Sequence, residues 1–479
     1  MAAKDGSDRT VPEQREQYDV VVVGCGMAGL AAGNRAARRG CDVAMLEKSP
    51  PEKRGGHTRF TESFRVPSAD TDLTDHGYEF DIPDYTTAEF YDDIMAQTNG
   101  RADEELAETL VENAGETIEW LTDLGVEWDM TPLNSGYTVG RTWFDGEELV
   151  DTLVEAATDA GADVYYSAEA RELRRSGDGR VEAVDAVTDE GFVRFDCGAA
   201  IVACGGYESS PEKRTRYYGS DYDAMTVRGS RYNTGEAIDM MLDAGAKAVG
   251  QWGGAHMALI DAAAPPVEGG TNRIDGYQYG LLLNNDGERF VDEGEDARAH
   301  TYAKFGRKIF EQPGRKAFIL VDSKTIDEVD ATGPSDPVVG DDLRDVLDRV
   351  GCERPGEAVA TVEAYNAACD PGEFDPQVLD GNDATDVTPP KSNWALPVDD
   401  PPFYAYAVTG GITFAFGGVA TTADAEVLDT RDRVVPGLYA AGNSVGDLFY
   451  DNYPGGTGLT NAAVFGRIAG EKAAEYAAD

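Results

Sequence analysis

The chain has little positive charge for its length. Its 479 residues include 41 Lys and Arg against 89 Asp and Glu, and the formal net charge is −48. Binding to nucleic acid needs clustered basic residues that displace counterions from phosphates, so this composition predicts no nucleic-acid partner. The acidic residues are spread along the whole chain, and molar salt screens such repulsion beyond about 3 Å. We therefore expect a cytoplasmic protein from a cell with high internal salt; a merely acidic protein is the alternative.

Long apolar runs, paired cysteines and histidines are also scarce. No stretch approaches the roughly 18 consecutive apolar residues of a membrane-spanning helix, so we predict no transmembrane segment. Residues 1–17 are polar and predict a flexible N-terminal tail, without the apolar core of a signal peptide. The six cysteines form no CxxC pair and there are only four histidines, so the spacing predicts no metal, iron–sulfur or haem site.

What is present near the N-terminus is the pattern of a dinucleotide-binding βαβ unit. The apolar run Val20–Val23 predicts a strand buried on both faces, and GCGMAG at residues 24–29 follows it at once. Gly24 allows the tight turn, Gly26 lets a pyrophosphate approach the backbone, and Gly29 lets the helix pack closely on the strand. Glu47 follows the second predicted strand at close to the usual distance of about 20 residues for the acid that binds the ribose.

Two later stretches predict FAD rather than NAD. IVACGG at residues 201–206 resembles a central strand of large flavoproteins. Near the C-terminus, GLYAAGN at residues 437–443 and TGLTNAA at residues 457–463 resemble the second FAD motif of the same proteins, a strand followed by a helix N-terminus that reaches the flavin. The three motifs occur in the expected order along the chain.

From Tyr18 onward, the sequence resembles the flavoproteins of the fumarate reductase/succinate dehydrogenase family. Within that family, four stretches are similar to FAD-dependent tricarballylate dehydrogenases: residues 47–56, 292–298, 301–304 and 452–459. The resemblance implies an α/β fold, in which a Rossmann-like FAD-binding domain with a parallel sheet and helices carries an inserted α+β cap domain. We place the FAD-binding domain at residues 18–250 and 411–479 and the cap at residues 251–410.

The motifs and the resemblance together indicate a set of cofactor-binding residues. These are Gly24, Gly26, Met27, Ala28, Gly29, Glu47, Lys48, Gly55, Gly56, His57, Thr58, Ala170, Ala203, Gly205, Gly206, Gly442, Asn443, Gly458 and Leu459. In succinate dehydrogenases a His-Thr pair at the place of His57 is bonded covalently to the flavin, so His57 is a candidate covalent anchor. A non-covalent contact with the edge of the flavin ring is the preferred alternative.

The resemblance also implies three residues for the chemistry. Arg298 stands close to the position of the cap arginine that transfers the proton in fumarate reductases; a carboxylate clamp or an ion pair with Glu293 or Glu295 is the alternative. His256 matches a histidine that helps to hold a substrate carboxylate in the family; a structural histidine is the alternative. Tyr453 replaces a substrate arginine and resembles the tyrosine of 3-oxosteroid dehydrogenases, which assists enolisation; packing on the helix entry is its alternative.

Other positions of the fumarate reductase pattern are missing. Phe414 stands where a second substrate histidine is expected, and Gly276 and Arg273 replace the Arg and Glu of the proton relay. A plain fumarate reductase is therefore not expected, and the sequence leaves the proton route unidentified.

The leading hypothesis for function is oxidation of a CH–CH bond to an alkene in a small, tricarballylate-like polycarboxylate, with hydride transfer to FAD. Arginines could bind the carboxylates, and the candidates are Arg59, Arg65, Arg273 and Arg298. A 3-oxosteroid-type dehydrogenase, a fumarate reductase-like enzyme and a non-enzymatic electron-transfer flavoprotein are the alternatives. Without a cluster or haem motif, the chain is expected to need a separate electron acceptor, either an iron–sulfur protein or a quinone.

Overall fold

The computed structural model describes residues 14–61, 63–80, 84–129, 141–143, 145–270 and 272–478. Within these residues the strands, in chain order, are β1 (Gln14–Val23), β2 (Val43–Leu46), β3 (Ser63–Arg65), β4 (Arg141–Trp143), β5 (Asp163–Tyr165), β6 (Glu169–Arg175), β7 (Val181–Thr188), β8 (Gly191–Val202), β9 (Thr226–Val227), β10 (Ala248–Asp261), β11 (Leu281–Asn284), β12 (Ala317–Val321), β13 (Val338–Gly340), β14 (Phe403–Val419), β15 (Glu426–Leu428) and β16 (Val434–Ala440). The α-helices are α1 (Met27–Arg38), α2 (Thr87–Gln97), α3 (Glu104–Asp123), α4 (Gly146–Asp159), α5 (Pro211–Tyr218), α6 (Glu236–Asp243), α7 (Arg298–Phe310), α8 (Leu343–Arg349), α9 (Pro355–Ala368) and α10 (Thr457–Ala478).

The first sheet has eight strands and a parallel centre. Its main order is β15-β16-β8-β1-β2-β5, and β7 and β6 extend it from β8 as an antiparallel ribbon. The β1, β2, β5, β8 and β16 strands run parallel. Val20–Val23 is buried in the middle of this sheet. Val20 and Val22 belong to a core cluster that includes α1 and α10, and Val21 and Val23 to one that includes β6, β7 and α6. This is the predicted Rossmann-like α/β architecture.

The first strand begins earlier than the sequence predicts. Gln14 to Gln17, which we assigned to a flexible tail, pair in parallel with residues 193–196 of β8. Arg15 forms an ion pair with Asp196, with Nη2 2.7 Å from Oδ1. The prediction was wrong for these four residues because their side chains are exposed, and an exposed strand end carries no apolar signature. Residues 1–13 of the predicted tail lie outside the described residues.

The second sheet is mainly antiparallel and is organised around β14. Its main order is β10-β14-β12-β11, with β13 and the short parallel β9 also paired to β14. Apart from β9, the strands of this sheet lie between Ala248 and Val419, whereas the sequence predicts a cap domain at residues 251–410. The domain boundaries themselves stay a prediction.

Two features bring the second sheet to the first. The β10–β14 pairing has register shifts between Gln251 and Ala255 and between His256 and Met257. A bulge of this kind bends a strand and re-aims its side chains, and here it affects His256, which faces Phe414 of β14. Val419 then forms a parallel bridge with Val445, so the end of β14 leads directly back to the first sheet.

The long helices of the described residues belong to the folded core. No helix among these residues combines the length and the apolarity needed to cross a bilayer. In the same part of the chain, no group of three or more His, Cys, Asp or Glu side chains is arranged to hold a metal ion.

Candidate active site

One large cavity lies between the two sheets. Its volume is about 1610 Å³, part of which is open to solvent. Small-molecule sites are concave and lie preferentially where structural units meet, and this cavity has both properties. It begins at the loop after β1 and ends at side chains of β10, β14 and α7.

Most of the predicted cofactor residues line this cavity. They are Gly24, Gly26, Met27, Ala28, Glu47, Lys48, Gly56, His57, Thr58, Ala170, Ala203, Gly205, Gly206, Gly442, Asn443, Gly458 and Leu459. Gly29 and Gly55 are not among the lining residues. Gly29 packs against β1 instead, where a Cβ would lie only 1.9 Å from the carbonyl oxygen of Gly24.

The loop after β1 is shaped for phosphate. Gly24 has a φ of +104°, and Gly26 is the residue before the first turn of α1. A Cβ on Gly26 would come no closer than 3.6 Å to any protein atom, so protein packing does not require glycine here. The space in front of Gly26 is therefore open to a ligand. The N-terminus of α1 points N–H groups and the positive end of the helix dipole towards that space. These features fit the pyrophosphate of FAD.

Glu47 is held in position by the same loop. It is 6% exposed and accepts hydrogen bonds from the N–H of Cys25 at 3.0 Å and of Ser49 at 2.7 Å. Burial raises the pKa of Glu47, and these N–H groups oppose that effect. Beyond it, Lys48 donates to Thr234 at 2.7 Å. This polar wall fits the ribose end of the cofactor.

The opposite end of the cavity is a cluster of aromatic rings around His256. The His256 ring is 3% exposed, and its centroid lies 4.8 Å from that of Tyr453 and 5.0 Å from that of Tyr302. Phe414 packs edge-on at 5.3 Å. The hydroxyl groups of Tyr302 and Tyr453 share a hydrogen bond of 2.6 Å. The structure therefore brings His256 and Tyr453 together, and it adds Tyr302, which the sequence analysis did not select.

Arg298 begins α7 and completes this end. It is 3% exposed, and it binds Asp275 through a hydrogen bond from Nε to Oδ1 at 2.9 Å and an ion-pair contact between Nη2 and Oδ2 at 2.8 Å. Its guanidinium stacks on Tyr302, with the Cζ atom 4.2 Å from the ring centroid. Its Nη1 is buried and has no hydrogen-bond partner among the described residues, and Arg298 lines the cavity. Burial opposes the charge, but Asp275 raises the pKa of Arg298 above its usual value, so the guanidinium is charged in the free protein.

Asp275 also connects Arg298 to the surface. Its Oδ2 lies 2.8 Å from Nε of Arg273, and Arg273 in turn forms an ion pair with Asp330, whose side chain is 49% exposed. The proton route could not be identified from the sequence, because the family positions of its Arg and Glu are occupied here by Gly276 and Arg273. The carboxylate of this chain lies one residue earlier, at Asp275, between the two arginines.

Of the four arginines considered for substrate carboxylates, only Arg298 lines the cavity. Arg65 is fully buried and donates to Tyr85, Asp93 and the carbonyl oxygen of Gly455, which is a structural role. The other two arginines bind protein acceptors as well: Arg59 donates to Glu147 and the carbonyl oxygen of Glu52, and Arg273 pairs with Asp275 and Asp330. Side chains that lie beside a motif in sequence need not point in the same direction.

Two other polar side chains of the cavity wall were not selected from the sequence. Arg228 lines the cavity and donates to Thr413 Oγ1 at 3.1 Å and to the carbonyl oxygen of Gly270 at 2.9 Å. Asn233 also lines it, close to His57. Arg228 directly follows the two-residue strand β9 and Asn233 lies in an irregular segment; neither belongs to a glycine motif, so no sequence signal was available for them.

Comparison with known proteins identifies the family. The family model described as an FAD binding domain matches residues 19–459, which is most of the chain. The chain belongs to this family. It is 28% identical to a probable fumarate reductase of Shewanella frigidimarina over 97% of this chain and 76% of the relative. It is 29% identical to an NADH:fumarate oxidoreductase of Klebsiella pneumoniae, over all of this chain but only 49% of that relative, so it spans about half the length of that protein.

A solved structure agrees with this assignment. The open conformation of a flavocytochrome c3 fumarate reductase superposes with a TM-score of 0.76 and 26% identity, over 98% of this chain and 79% of the other. The chain is thus an FAD-dependent oxidoreductase of the fumarate reductase/succinate dehydrogenase flavoprotein family, as the sequence motifs predict.

Proposed function

We propose that the protein interconverts a CH–CH single bond and an alkene next to a carboxyl group of a small carboxylate. Oxidation to the alkene is the direction proposed here. The observation that carries this proposal is the buried, unpaired Nη1 of Arg298 in the same cavity as the phosphate loop. A guanidinium group that has a free donor atom and a carboxylate behind it can bind an anionic substrate and hold a proton at that atom.

Bound FAD supplies the acceptor for the hydride, and the chain's own residues do the rest. In the oxidation, the proton that leaves the substrate carbon goes to Nη1 as Arg298 passes one of its own protons to Asp275, so the guanidinium stays charged. Asp275, Arg273 and Asp330 offer a line of paired charges from Arg298 to the half-exposed carboxylate of Asp330, and we propose this line as the proton route. His256 and Arg228 stand on the cavity wall as the groups that bind the substrate carboxylate. These roles, and the FAD contacts of the individual residues, are proposals.

The aromatic cluster sets the shape of the substrate site. His256, Tyr302, Tyr453 and Phe414 pack against one another as one aromatic wall of the cavity, and in this proposal the wall limits the access of water to the reacting carbons. A tricarballylate-like substrate with three carboxylates would need Arg298, Arg228 and His256 together, because Arg59 and Arg65 are bound elsewhere.

A second candidate substrate is a ring ketone. The hydrogen-bonded phenols of Tyr302 and Tyr453 favour it, because a phenol polarised by a second phenol is a good donor to a carbonyl oxygen. In that case the tyrosines bind the substrate oxygen and Arg298 acts only on the proton.

Anaerobic reduction of the bound flavin distinguishes these candidates. We would mix the holoprotein with tricarballylate, succinate or a 3-oxosteroid and follow the loss of the oxidised flavin absorbance. Reduction by one of the two carboxylates supports the proposal, and reduction only by the steroid supports the ring-ketone candidate. If none of the three reduces the flavin while dithionite does, the proposed substrate class is wrong and an electron-transfer protein without its own substrate is favoured.

Two further points from the sequence remain proposals. A separate electron acceptor, an iron–sulfur protein or a quinone, and a cytoplasmic location are proposed for this chain; turnover that continues without any external acceptor would contradict the first. Covalent attachment of the flavin at His57 is tested by acid precipitation, since a covalent flavin stays with the precipitate and a non-covalent one is released.

A further inference from the structure

A buried carboxyl group lies behind the wall of the FAD cavity. Glu208 is 0% exposed, and its Oε1 lies 3.5 Å from Nε2 of His57, whose ring lines the cavity. The same oxygen accepts a hydrogen bond from Nδ2 of Asn233 at 3.2 Å. No Lys or Arg among the described residues forms an ion pair with this carboxylate. A buried carboxyl group without a cationic partner is stabilised in its neutral form.

Two glycines make room for this pair of side chains. A Cβ on Gly229 would lie 2.1 Å from Cδ2 of His57, so the imidazole ring occupies the space that a side chain would take there. A Cβ on Gly206 would lie 2.3 Å from Oε2 of Glu208. A side chain at Gly229 would displace the imidazole ring, and one at Gly206 would displace the end of the Glu208 side chain, so both glycines leave space that this pair occupies.

Of His57 and Glu208, only Glu208 has a pKa near neutrality. Burial, opposed by the hydrogen bond with Asn233 and reinforced by the charge of Arg228, lowers the pKa of His57 to about 4, so the ring is neutral at neutral pH. Burial raises the pKa of Glu208 to about 7, against the opposing effect of nearby N–H groups and Asn233. Arg214 uses Nη1 on the carbonyl oxygen of Glu208 and not on its carboxylate.

The phenols of Tyr207 and Tyr218 complete the surroundings of Glu208. Burial raises the pKa of both above the usual value, so both are neutral at neutral pH. The charges of His57, Tyr207 and Tyr218 therefore stay constant in the range in which Glu208 exchanges its proton.

We propose that Glu208 is a proton-binding site coupled to the redox state of FAD: it takes up a proton when the flavin is reduced and releases it on reoxidation. Reduction by two electrons and one proton adds one negative charge to the cavity. A charge held at low dielectric acts strongly on a buried carboxylate only a side chain away, and it favours the protonated form. The inference rests on FAD binding and not on the substrate proposed above.

The midpoint potential of the bound FAD, measured against pH, tests this coupling. A two-electron couple changes by about 30 mV for each tenfold change in an equilibrium constant, so one proton gives a slope of about 30 mV per pH unit. In the wild type we expect a second proton, bound by Glu208, to add about 30 mV per pH unit to this slope. The added slope should appear over a pH window that starts near 7 and extends upwards. In Glu208→Gln we expect the slope of one proton throughout that window.

The control variant is Glu212→Gln. Glu212 is exposed on α5, four residues after Glu208, and its loss should leave the wild-type slope unchanged. The N1 position of reduced flavin can add a proton too, and it would steepen the slope of both proteins by the same amount. The test is therefore the difference in slope between the wild type and Glu208→Gln, and equal slopes throughout the window overturn the proposal, because the extra proton then binds elsewhere.

Proton uptake by the wild type gives a second, independent measurement. Photoreduction of the holoprotein in weakly buffered solution just above pH 7, with a pH-indicator dye, should show more than one proton taken up per FAD. Uptake of one proton or fewer overturns the proposal even if Glu208→Gln does not fold. A structural role of Glu208 alone would lower stability in the variant without changing either readout.

Discussion

The two ends of the cavity are built in different ways. The phosphate end is formed by backbone: Gly24, Gly26 and the start of α1 follow one another in the chain, and their conformation is fixed by close packing on β1 and β8. The reaction end is formed by side chains, from β10, β14, α7 and the segment before α10. Backbone sites tolerate little added volume, whereas side-chain sites tolerate changes in volume but not in donor geometry.

At the phosphate end, we expect Gly29→Ala to weaken FAD binding. The added Cβ would lie 1.9 Å from the carbonyl oxygen of Gly24 and would push α1 away from the strand. Overpacking of this kind costs about 1–3 kcal/mol, so we expect FAD affinity to fall by roughly tenfold to a hundredfold. Equilibrium titration with FAD measures it. Gly177→Ala is the control, because no atom lies within 4 Å of the new Cβ there; equal affinities in the two variants would refute the packing argument.

At the reaction end, Arg298→Lys should abolish most turnover and leave FAD content unchanged. Lysine keeps the charge but cannot bind both oxygens of Asp275 and still present a donor to the cavity. We expect kcat to fall on the order of 10²–10⁴-fold, the usual contribution of a proton-transfer group. Arg354→Lys, at an exposed ion pair with Asp286, is the matched control. Normal turnover in Arg298→Lys would remove Arg298 from the chemistry.

A smaller effect is expected for the phenol pair. Tyr302→Phe and Tyr453→Phe each remove one partner of the shared hydrogen bond, and we expect each to lower kcat/KM by up to about tenfold. Because the two hydroxyls act together, the double variant should be little worse than either single one. Steady-state kinetics on all three, with Tyr404→Phe as the control on β14, checks this. Fully additive losses would show that the two tyrosines act separately.

The smallest expected effect is on the pH dependence of the free energy of unfolding, through a contact between α2 and α7. His300 of α7 lies 3.2 Å from Asp296 and 3.8 Å from Asp93 of α2; burial opposes its charge, but the two carboxylates raise its pKa. A raised pKa means that the stabilisation is complete below the unfolded value of about 6.5 and is lost as the pH rises through the folded value. We therefore expect the free energy of unfolding to decrease over that window, and to decrease less in Asp296→Asn. Urea unfolding at a series of pH values measures this, and an equal dependence in both proteins would contradict it.

The same contrast explains what the sequence could predict. The βαβ unit around Val20–Val23 was predictable because glycine spacing and an apolar run depend only on neighbouring residues. Tyr302 was missed because its partner Tyr453 is far away in sequence. Arg65 was misjudged because its motif position said nothing about Asp93, which turns the guanidinium into the core. Local chain geometry is encoded locally, but side chains that meet from different segments are not.

The central claim is that one cavity, beginning at Gly26 and ending at Arg298, holds FAD in this chain. The most direct test is an equilibrium titration of FAD-free, folded protein with FAD at high salt, followed by flavin absorbance and fluorescence. The account predicts saturable binding of one FAD per chain. Protein that stays colourless at saturating FAD would contradict it.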